Sequence, residues 1–353
     1  MASVASWVLL ETLVPGADIA RTPAMLDATR RMEGALAVVA EHCRESGIAV
    51  SEFADPNGTC LIGPEMSELF TTAGQLEAKR TTTNPVMAGL VVHLLEEAGV
   101  SAGDTVAVAA SGSFPALMVA TFVAVESLAA VPVAILSPGA SSWGATRPDF
   151  DLLDLHALLL GRGVIRTPVG AASLGGSHDV GREFEPEVRE RLARKIQRRG
   201  IRFINEPDLA ANVAERMRIY GRAVAFVNIG GSDAALGTSP AVLDVPAGLN
   251  PDLASRVALP PAEQRGVIFA MAAEGVPVVH LLHVRGLALR FGVPWDPVPL
   301  PGAERARLRQ PRGRGAVFWL ITLAWLGGLF AVASVNRDAG RDRRPRSRLA
   351  SIR

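Results

Sequence analysis

The sequence lacks the signatures of several large protein classes. Its 353 residues carry a formal net charge of only +1, which argues against a nucleic-acid-binding protein. It has no GxxxxGKS/T motif, so ATP-driven ligation by the Walker route is unsupported, and no GxGxxG motif follows a predicted strand. Cysteine is scarce, and no Cys or His spacing indicates a metal site. We therefore expect no metal, no cofactor and no nucleic-acid partner.

The few cysteines and histidines leave alternatives open. Cys43 and Cys60 would be able to pair outside the cytoplasm, and two free buried thiols are an equally good interpretation. His280 and His283 flank the end of the last predicted strand, but no third ligand accompanies them. We therefore reject a metal site there and expect His280 to be a core histidine.

The longest uncharged run predicts a membrane anchor. Residues 315–335 are 21 residues without a charge. As a helix they would span ~31 Å, close to the ~30 Å hydrocarbon core of a bilayer. We predict a transmembrane helix there, after a basic juxtamembrane linker at 302–314 and before a basic tail at 336–353. The excess of arginine in that tail favours its location in the cytoplasm, although the arginines before the span weaken this argument.

The N-terminal residues allow two interpretations. Residues 1–14 are mildly apolar, too short to span a bilayer, and preceded by no basic region. They resemble the second half of a truncated membrane segment, or else a short surface helix that packs on the domain. If both ends lie in the membrane and the tail is cytoplasmic, the domain between them lies outside the cytoplasm.

Between residues 20 and 301, short apolar runs alternate with amphipathic segments. The predicted strands are 105–110, 131–136, 164–167, 201–204, 223–229 and 277–282. The predicted helices are 23–46, 86–98, 114–130, 150–160, 187–199, 208–220 and 261–274. Apolar strands alternating with helices predict an α/β domain, with a mainly parallel sheet and helices on both faces.

Two loops that contain glycine and serine follow predicted strands of this sheet. Ligands of doubly wound sheets bind outside the carboxyl ends of the strands, and freed backbone N–H groups bind anions. We therefore predict one anion site formed by both loops, with candidate ligands Ser111, Gly112, Ser113, Asn228, Gly230, Gly231 and Ser232. Lys79, Arg80 and Arg147 are predicted to offset the negative charge of Asp233. The alternative is that both loops are ordinary turns with serine caps.

A serine hydrolase is the weaker interpretation of the same loops. His178 and Asp179 are adjacent in a glycine-rich segment, and Ser111 or Ser113 would be the nucleophile of a triad. The segment SGSFP lacks the second glycine of a GxSxG elbow. This interpretation requires one of the serines to hydrogen bond to a histidine held by a carboxylate.

Several long segments resemble one bacterial family. The blocks DPNGTCLIGPEMSELFTTAGQLEAKRTTTNP, VAVAASGSFPALMVA, ILSPGASSWGATRPDF, AASLGGSHDVG, FVNIGGSDAALGT and GVPVVHLLHVRGLALRFGVPWDPVPLP carry the resemblance, which covers roughly residues 30–301. They resemble the poly-gamma-glutamate system protein, which accompanies poly-gamma-glutamate synthase proteins and has a membrane segment near each end. The first of these segments looks truncated in this chain.

The resemblance implies a pathway rather than a reaction, and it transfers no catalytic residue. It implies a membrane-anchored accessory protein of poly-gamma-glutamate (capsule-type) biosynthesis or export in the cell membrane. Its partners would be the membrane components of the synthase and the polyanionic polymer, which it would bind or guide. The alternatives are a serine-dependent amide hydrolase or transferase acting on this polymer, and a structural scaffold whose glycine loops are only turns.

Overall fold

The computed structural model describes residues 17–305, 307–310, 322–323, 325–328 and 330. Residues 17–310 form one compact unit. The predicted N-terminal membrane segment and the basic tail lie outside the described residues, as does most of the predicted transmembrane helix. Of that helix, the residues described between 322 and 330 are helical. No helix within the described part of the chain is both long enough and apolar enough to cross a bilayer.

A seven-stranded, mostly parallel sheet forms the centre of the unit. The strands described are β1 (Phe70–Thr72), β2 (Thr105–Ser111), β3 (Val131–Ser137), β4 (Ala140–Ser141), β5 (Ala171–Ala172), β6 (Arg202–Phe203), β7 (Ala225–Ile229), β8 (Gly248–Asn250) and β9 (Val278–Leu281). The main sheet has the order β6-β5-β3-β2-β7-β9-β8, in which β8 alone runs antiparallel to its neighbour. Strands β1 and β4 pair in parallel as a separate two-stranded sheet.

Ten α-helices accompany these strands in the compact unit. They are α1 (Pro23–Glu45), α2 (Leu76–Thr82), α3 (Val86–Glu97), α4 (Pro115–Ser127), α5 (Leu152–Gly161), α6 (Pro186–Arg198), α7 (Leu209–Tyr220), α8 (Asp233–Leu236), α9 (Val267–Ala273) and α10 (Val284–Phe291). Their sequences explain their positions. In α6 the buried residues Val188, Leu192 and Ile196 recur every four positions, so one stripe faces the core. Helix α4 is predominantly apolar on all sides up to Val125 and is buried as far as Glu126.

The two faces of the sheet carry separate apolar cores. Because side chains alternate along a strand, Val106 and Val108 of β2 join one core, whereas Ala107 and Ala109 join the other. Helices α1, α3, α4, α5, α6 and α10 contribute to the first core, and α7 and α9 to the second. The predicted mainly parallel sheet with helices on both faces is therefore confirmed.

One predicted strand is wrong. Residues 164–167 form irregular backbone after α5, and the strand that pairs with β3 is β5, seven residues further on. Ile165 is fully buried without pairing in the sheet, and a buried loop of this kind has the same apolar pattern as a short strand. The antiparallel strand β8 and the short helices α2, α8 and α10 were not predicted.

The ends of the compact unit are fixed to its body. Cys43 of α1 and Cys60 form a disulfide, so the interpretation of two free buried thiols is wrong. At the C-terminal end, Ala303 and Leu308 are buried, and the Leu308 carbonyl accepts a hydrogen bond of 2.9 Å from the Ile19 backbone N–H. Residues within the predicted 302–314 linker therefore pack on the domain, which extends to Gln310.

Candidate functional site

The strand order of the sheet reverses between β2 and β7. From β2 the chain moves outward through β3, β5 and β6, and then returns to the other side of β2 as β7. Both strands run in the same direction, so the loops after them meet at one edge of the sheet. Such a switch point is where ligands of doubly wound sheets bind. A cavity of about 400 Å³ lies there, with Ser113 from one loop and Gly231 from the other in its wall.

Lys79 of α2 lines this cavity. Its side chain is only 1% exposed. Its Nζ donates to the carbonyl of Ser113 and to Ser141 Oγ, the latter at 2.5 Å, and lies 3.9 Å from the centre of the Phe114 ring. Burial disfavours the ammonium form and lowers the pKa of Lys79 to about 7. Near neutral pH this amine therefore exists in both protonation states.

The hydroxyl beside the amine, that of Ser141, is held in place by its neighbours. Ser141 is placed by β4, which pairs with β1 at Thr72. Its backbone N–H donates to Ser113 Oγ at 3.1 Å, so the two serines are fixed to each other. Gly74 leaves room for them, because a Cβ there would lie 3.1 Å from both Ser141 Oγ and Lys79 Cε, and 2.8 Å from the Ser142 carbonyl oxygen.

Arg285 adds a positive charge at the mouth of the cavity. It lies near the start of α10, is exposed, and lines the cavity beside the exposed His283. The Arg285 guanidinium lies 5.8 Å from the centre of the Trp295 ring. Among the described residues that line the cavity, none is an aspartate or glutamate. The lining therefore favours an anionic ligand over a cationic one.

Backbone donors add to this preference. Helices α4 and α10 both begin at the cavity, and helix N-termini carry unsatisfied N–H groups. Within the described part of the chain, the Gly231 N–H has no hydrogen-bond acceptor. A Cβ at Gly231 would lie 2.6 Å from Leu236 Cδ1, so a larger residue there would displace the end of that leucine. The Gly231 N–H is available to a ligand oxygen.

The structure brings together three of the predicted site residues, Lys79, Ser113 and Gly231, in the wall of one cavity. Ser111 and Gly230 pack against each other so closely that a side chain at Gly230 would overlap Ser111 Oγ. The Gly112 N–H already donates to two carbonyl oxygens, of Ser137 and Gly139, at 2.8 and 3.0 Å. These three residues shape the turns rather than line the cavity.

The remaining predicted residues have other partners. Asn228 is fully buried and donates to the Gly230 carbonyl at 2.9 Å, and Ser232 Oγ accepts from the Ala235 N–H as the cap of α8. Arg80 forms an ion pair of 2.5 Å with Asp296. Arg147 donates to the backbone carbonyls of Cys60 and Ala49 at 3.2 and 3.3 Å, and neither of these residues lines this cavity. Lys79 is thus the one basic residue of the predicted three that lines the cavity.

The histidine-based triad is not formed. Ser111 and Ser113 make no hydrogen bond to a histidine among the described residues. His178 Nδ1 lies 3.3 Å from the Pro207 carbonyl, and its backbone N–H binds Asp233 at 2.7 Å. Asp179 instead forms a buried ion pair of 2.5 Å with Arg216. In the described residues, no group of three or more His, Cys, Asp or Glu side chains is placed to hold a metal ion.

Sequence reasoning missed Ser141, Gly74 and Arg285 as site residues. Ser141 follows β3 within the glycine- and serine-containing run SPGASS, and β3 is the neighbour of β2. A glycine-rich run after a strand was the available signal, because that loop must reach the same sheet edge. Arg285 follows the last strand, where only the histidines were considered. His280 is indeed buried, and burial lowers its pKa to about 4.

Comparison of this chain with family models, with curated proteins and with solved structures finds no match. The proposed function therefore rests on the geometry of the cavity. That geometry combines hydroxyl, amine, guanidinium and backbone N–H donors with an absence of carboxylates among the described lining residues. Such a set of groups suits a ligand that carries carboxylates.

Proposed function

We propose that this domain binds an anionic ligand rich in carboxylates, and that the ligand is a poly-gamma-glutamate chain. One observation supports this most strongly. The cavity at the switch point is lined by the basic residues Lys79 and Arg285 but, among described residues, by no carboxylate. A cleft lined by charge of one sign raises the local concentration of ligands of the opposite sign.

The chemistry of the polymer matches the donors of the cavity. Each gamma-linked glutamate presents a free carboxylate and an amide. The guanidinium of Arg285 at the mouth is suited to pair with a carboxylate, because its planar fork matches the two oxygens. The Ser113 hydroxyl and the Gly231 N–H line the same space and are suited to the amide carbonyls. The resemblance noted in the sequence supports the same polymer.

The proposal includes a membrane setting. Residues 315–335 would anchor the chain in the cell membrane, with the arginine-rich tail in the cytoplasm and the domain outside. The Cys43–Cys60 disulfide supports this placement, because disulfides persist in oxidising compartments. There the domain would act as an accessory protein that guides the polymer beside the membrane components of the synthase.

Binding of short gamma-linked glutamate oligomers to the full chain in mild detergent tests this proposal by calorimetry. We expect saturable binding that weakens about 5- to 10-fold in Arg285→Ala, equivalent to ~1–1.4 kcal/mol. Arg290→Ala removes the same charge from the same helix but lies outside the cavity lining, so it should change the affinity less than about twofold.

The same titrations distinguish the alternatives. Equal weakening by the two arginine variants would show that binding depends only on overall charge and would contradict a site in the cavity. No saturable binding at all would leave the scaffold interpretation. Alpha-linked glutamate oligomers of equal length have the same charge per residue, so they test whether the cavity distinguishes the gamma linkage.

A further inference from the structure

The contact between Lys79 and Ser141 is not explained by ligand binding alone. A buried ammonium without a carboxylate partner is costly, and a guanidinium at the mouth would attract anions without that cost. Within the described part of the chain, Lys79 contacts a carbonyl, a hydroxyl and an aromatic ring. Burial alone lowers its pKa, since no neighbouring charge contributes to the shift. Burial therefore favours the neutral amine, which lies beside a hydroxyl.

We propose that Ser141 and Lys79 form a serine–lysine acyl-transfer centre, in which Ser141 Oγ is the nucleophile and Lys79 Nζ is its general base. The substrate would be an amide or ester with a free carboxylate close to the scissile carbonyl. The centre itself rests on the contact between these two side chains, and only the substrate class rests on the proposed function.

The surroundings hold both reacting atoms in place. Lys79 Nζ donates to the Ser113 carbonyl and to Ser141 Oγ, the latter at 2.5 Å. In the neutral amine, the lone pair would accept the Ser141 hydroxyl proton across the same contact. The Ser141 backbone N–H is anchored on Ser113 Oγ. Nucleophile and base therefore lie within hydrogen-bond reach, and a third residue orients both of them, as an activated serine requires. Both side chains line the cavity, where a substrate would have access to them.

The reaction would proceed in two balanced steps. Ser141 Oγ bonds to the substrate carbonyl carbon while its proton passes to the neutral Lys79 amine. The C–N or C–O bond then breaks, and Lys79 returns this proton to the departing amine or alcohol, which leaves an ester on Ser141. In the second step a water or an acceptor amine attacks that ester. The attacking water or amine gives a proton to Lys79. The bond between the acyl carbon and Ser141 Oγ then breaks, and Lys79 returns that proton to Ser141 Oγ as the product leaves.

Two other features of the cavity suit this chemistry. The Gly231 N–H has no acceptor in the described part of the chain and lies in the same wall as Ser141. It would donate to the oxyanion that forms on the carbonyl oxygen. Arg285 at the mouth would hold the neighbouring carboxylate of the substrate. The cavity thus contains a nucleophile, a base, an oxyanion donor and a carboxylate anchor.

Covalent labelling by a fluorophosphonate tests the centre. An activated serine displaces fluoride from phosphorus, and its proton passes to the base. We expect the full chain to be labelled on the peptide containing Ser141, as identified by mass spectrometry, at a rate that rises through about pH 7. Ser141→Ala should abolish this label. Ser142→Ala is the matched control, because the adjacent hydroxyl makes no hydrogen bond to Lys79 in the described residues.

Removal of the base separates a catalytic role from a structural one. Lys79→Met keeps the length of the side chain but has no amine, so labelling should slow by about 10²-fold or more. Thermal unfolding of each variant shows whether the fold persists. An unlabelled Ser141 in folded wild-type protein, a label on Ser113 instead, or equal rates in wild type and Lys79→Met would each overturn the proposal.

Failure of this inference is distinguishable from failure of the proposed function. Oligomer affinity and covalent labelling are both measured on the wild-type chain, so each proposal has a readout of its own. Labelled Ser141 together with no oligomer binding would retain the acyl-transfer centre and reject the ligand class. Oligomer binding without any label on Ser141 would retain the proposed function and overturn the centre.

Discussion

The chain has only two lysines, and they lie in contrasting surroundings. Lys195 of α6 is 19% exposed and bridges two carboxylates, Asp151 and Asp154, at 2.7 Å each. Lys79 is more deeply buried, contacts no carboxylate among the described residues, and faces an open cavity. The first lysine joins two helices, whereas the second lies beside a hydroxyl that a ligand can reach.

The surroundings of the two lysines indicate a structural role for Lys195 and a functional role for Lys79. A buried charge with two opposite partners stabilises the fold by neutralising groups that cannot reach water. An unpaired buried amine does the reverse, so its retention needs another reason, and perturbed groups in clefts are typical of functional sites. The same substitution at the two lysines should therefore have opposite consequences for stability.

The largest effect is expected from Lys195→Met. This change leaves the fully buried Asp151 beside Asp154 without its cationic partner among the described residues, whereas Asp154 keeps its pair with Arg199. Loss of one partner from a buried ion pair costs about 3–5 kcal/mol, and the partial exposure of Lys195 favours the lower end. Urea unfolding at neutral pH measures this loss as a change in the free energy of unfolding.

A neighbouring residue provides the control for this prediction. Arg194 lies on the same helix and forms an exposed pair with Glu190 at 3.1 Å. Arg194→Met should therefore cost about 0.5 kcal/mol or less. Equal losses in the two variants would contradict a structural role specific to Lys195.

Lys79→Met is expected to have a smaller effect on the free energy of unfolding, and this effect should depend on pH. The pKa of Lys79 falls from 10.5 to about 7 on folding. Between these values the unfolded chain holds a proton that the folded chain has released, so folding stability rises with pH across this window. One such group contributes about 1.4 kcal/mol per pH unit, or ~2–3 kcal/mol between about pH 7 and pH 9.

The measurement is the difference in unfolding free energy between wild type and Lys79→Met over this pH range. Subtracting the two free energies of unfolding removes the contribution of all other titrating groups. The free energy of unfolding of wild type should rise relative to that of Lys79→Met as the pH rises. Arg194→Met retains Lys79 and removes only an exposed ion pair, so it should show the same pH slope as wild type. Parallel curves of unfolding free energy against pH for wild type and Lys79→Met would contradict a lowered pKa of the Lys79 amine.

The core strands of the fold could be predicted because their apolar runs are continuous. Strands β2, β3, β7 and β9 are buried on both faces, and each had been predicted within two residues of its observed ends. Strand β5 has only two residues, and the backbone pairing that defines it is invisible in a sequence. The apolar segment around Ile165 was mistaken for that strand because burial alone gives the same pattern.

The candidate site could be predicted only in part. The loops after β2 and β7 converge because their strands are adjacent and parallel, and this followed from the fold class. The contact between Lys79 and Ser141 did not follow, because 62 positions separate them and a two-residue strand brings them together. The structural roles of Asn228 and Ser232 depend on hydrogen-bond partners that residue type cannot reveal.

Titration of the Lys79 amine tests the central claim most directly. With ¹³Cε-labelled lysine the chain gives only two signals, and Lys79→Met assigns them. The account predicts that Lys79 titrates near pH 7, far from the ordinary lysine value of 10.5. It also predicts that gamma-linked glutamate oligomers raise this pKa, because a nearby carboxylate favours the ammonium. Titration of Lys79 at an ordinary lysine pKa, unchanged by the oligomers, would contradict it.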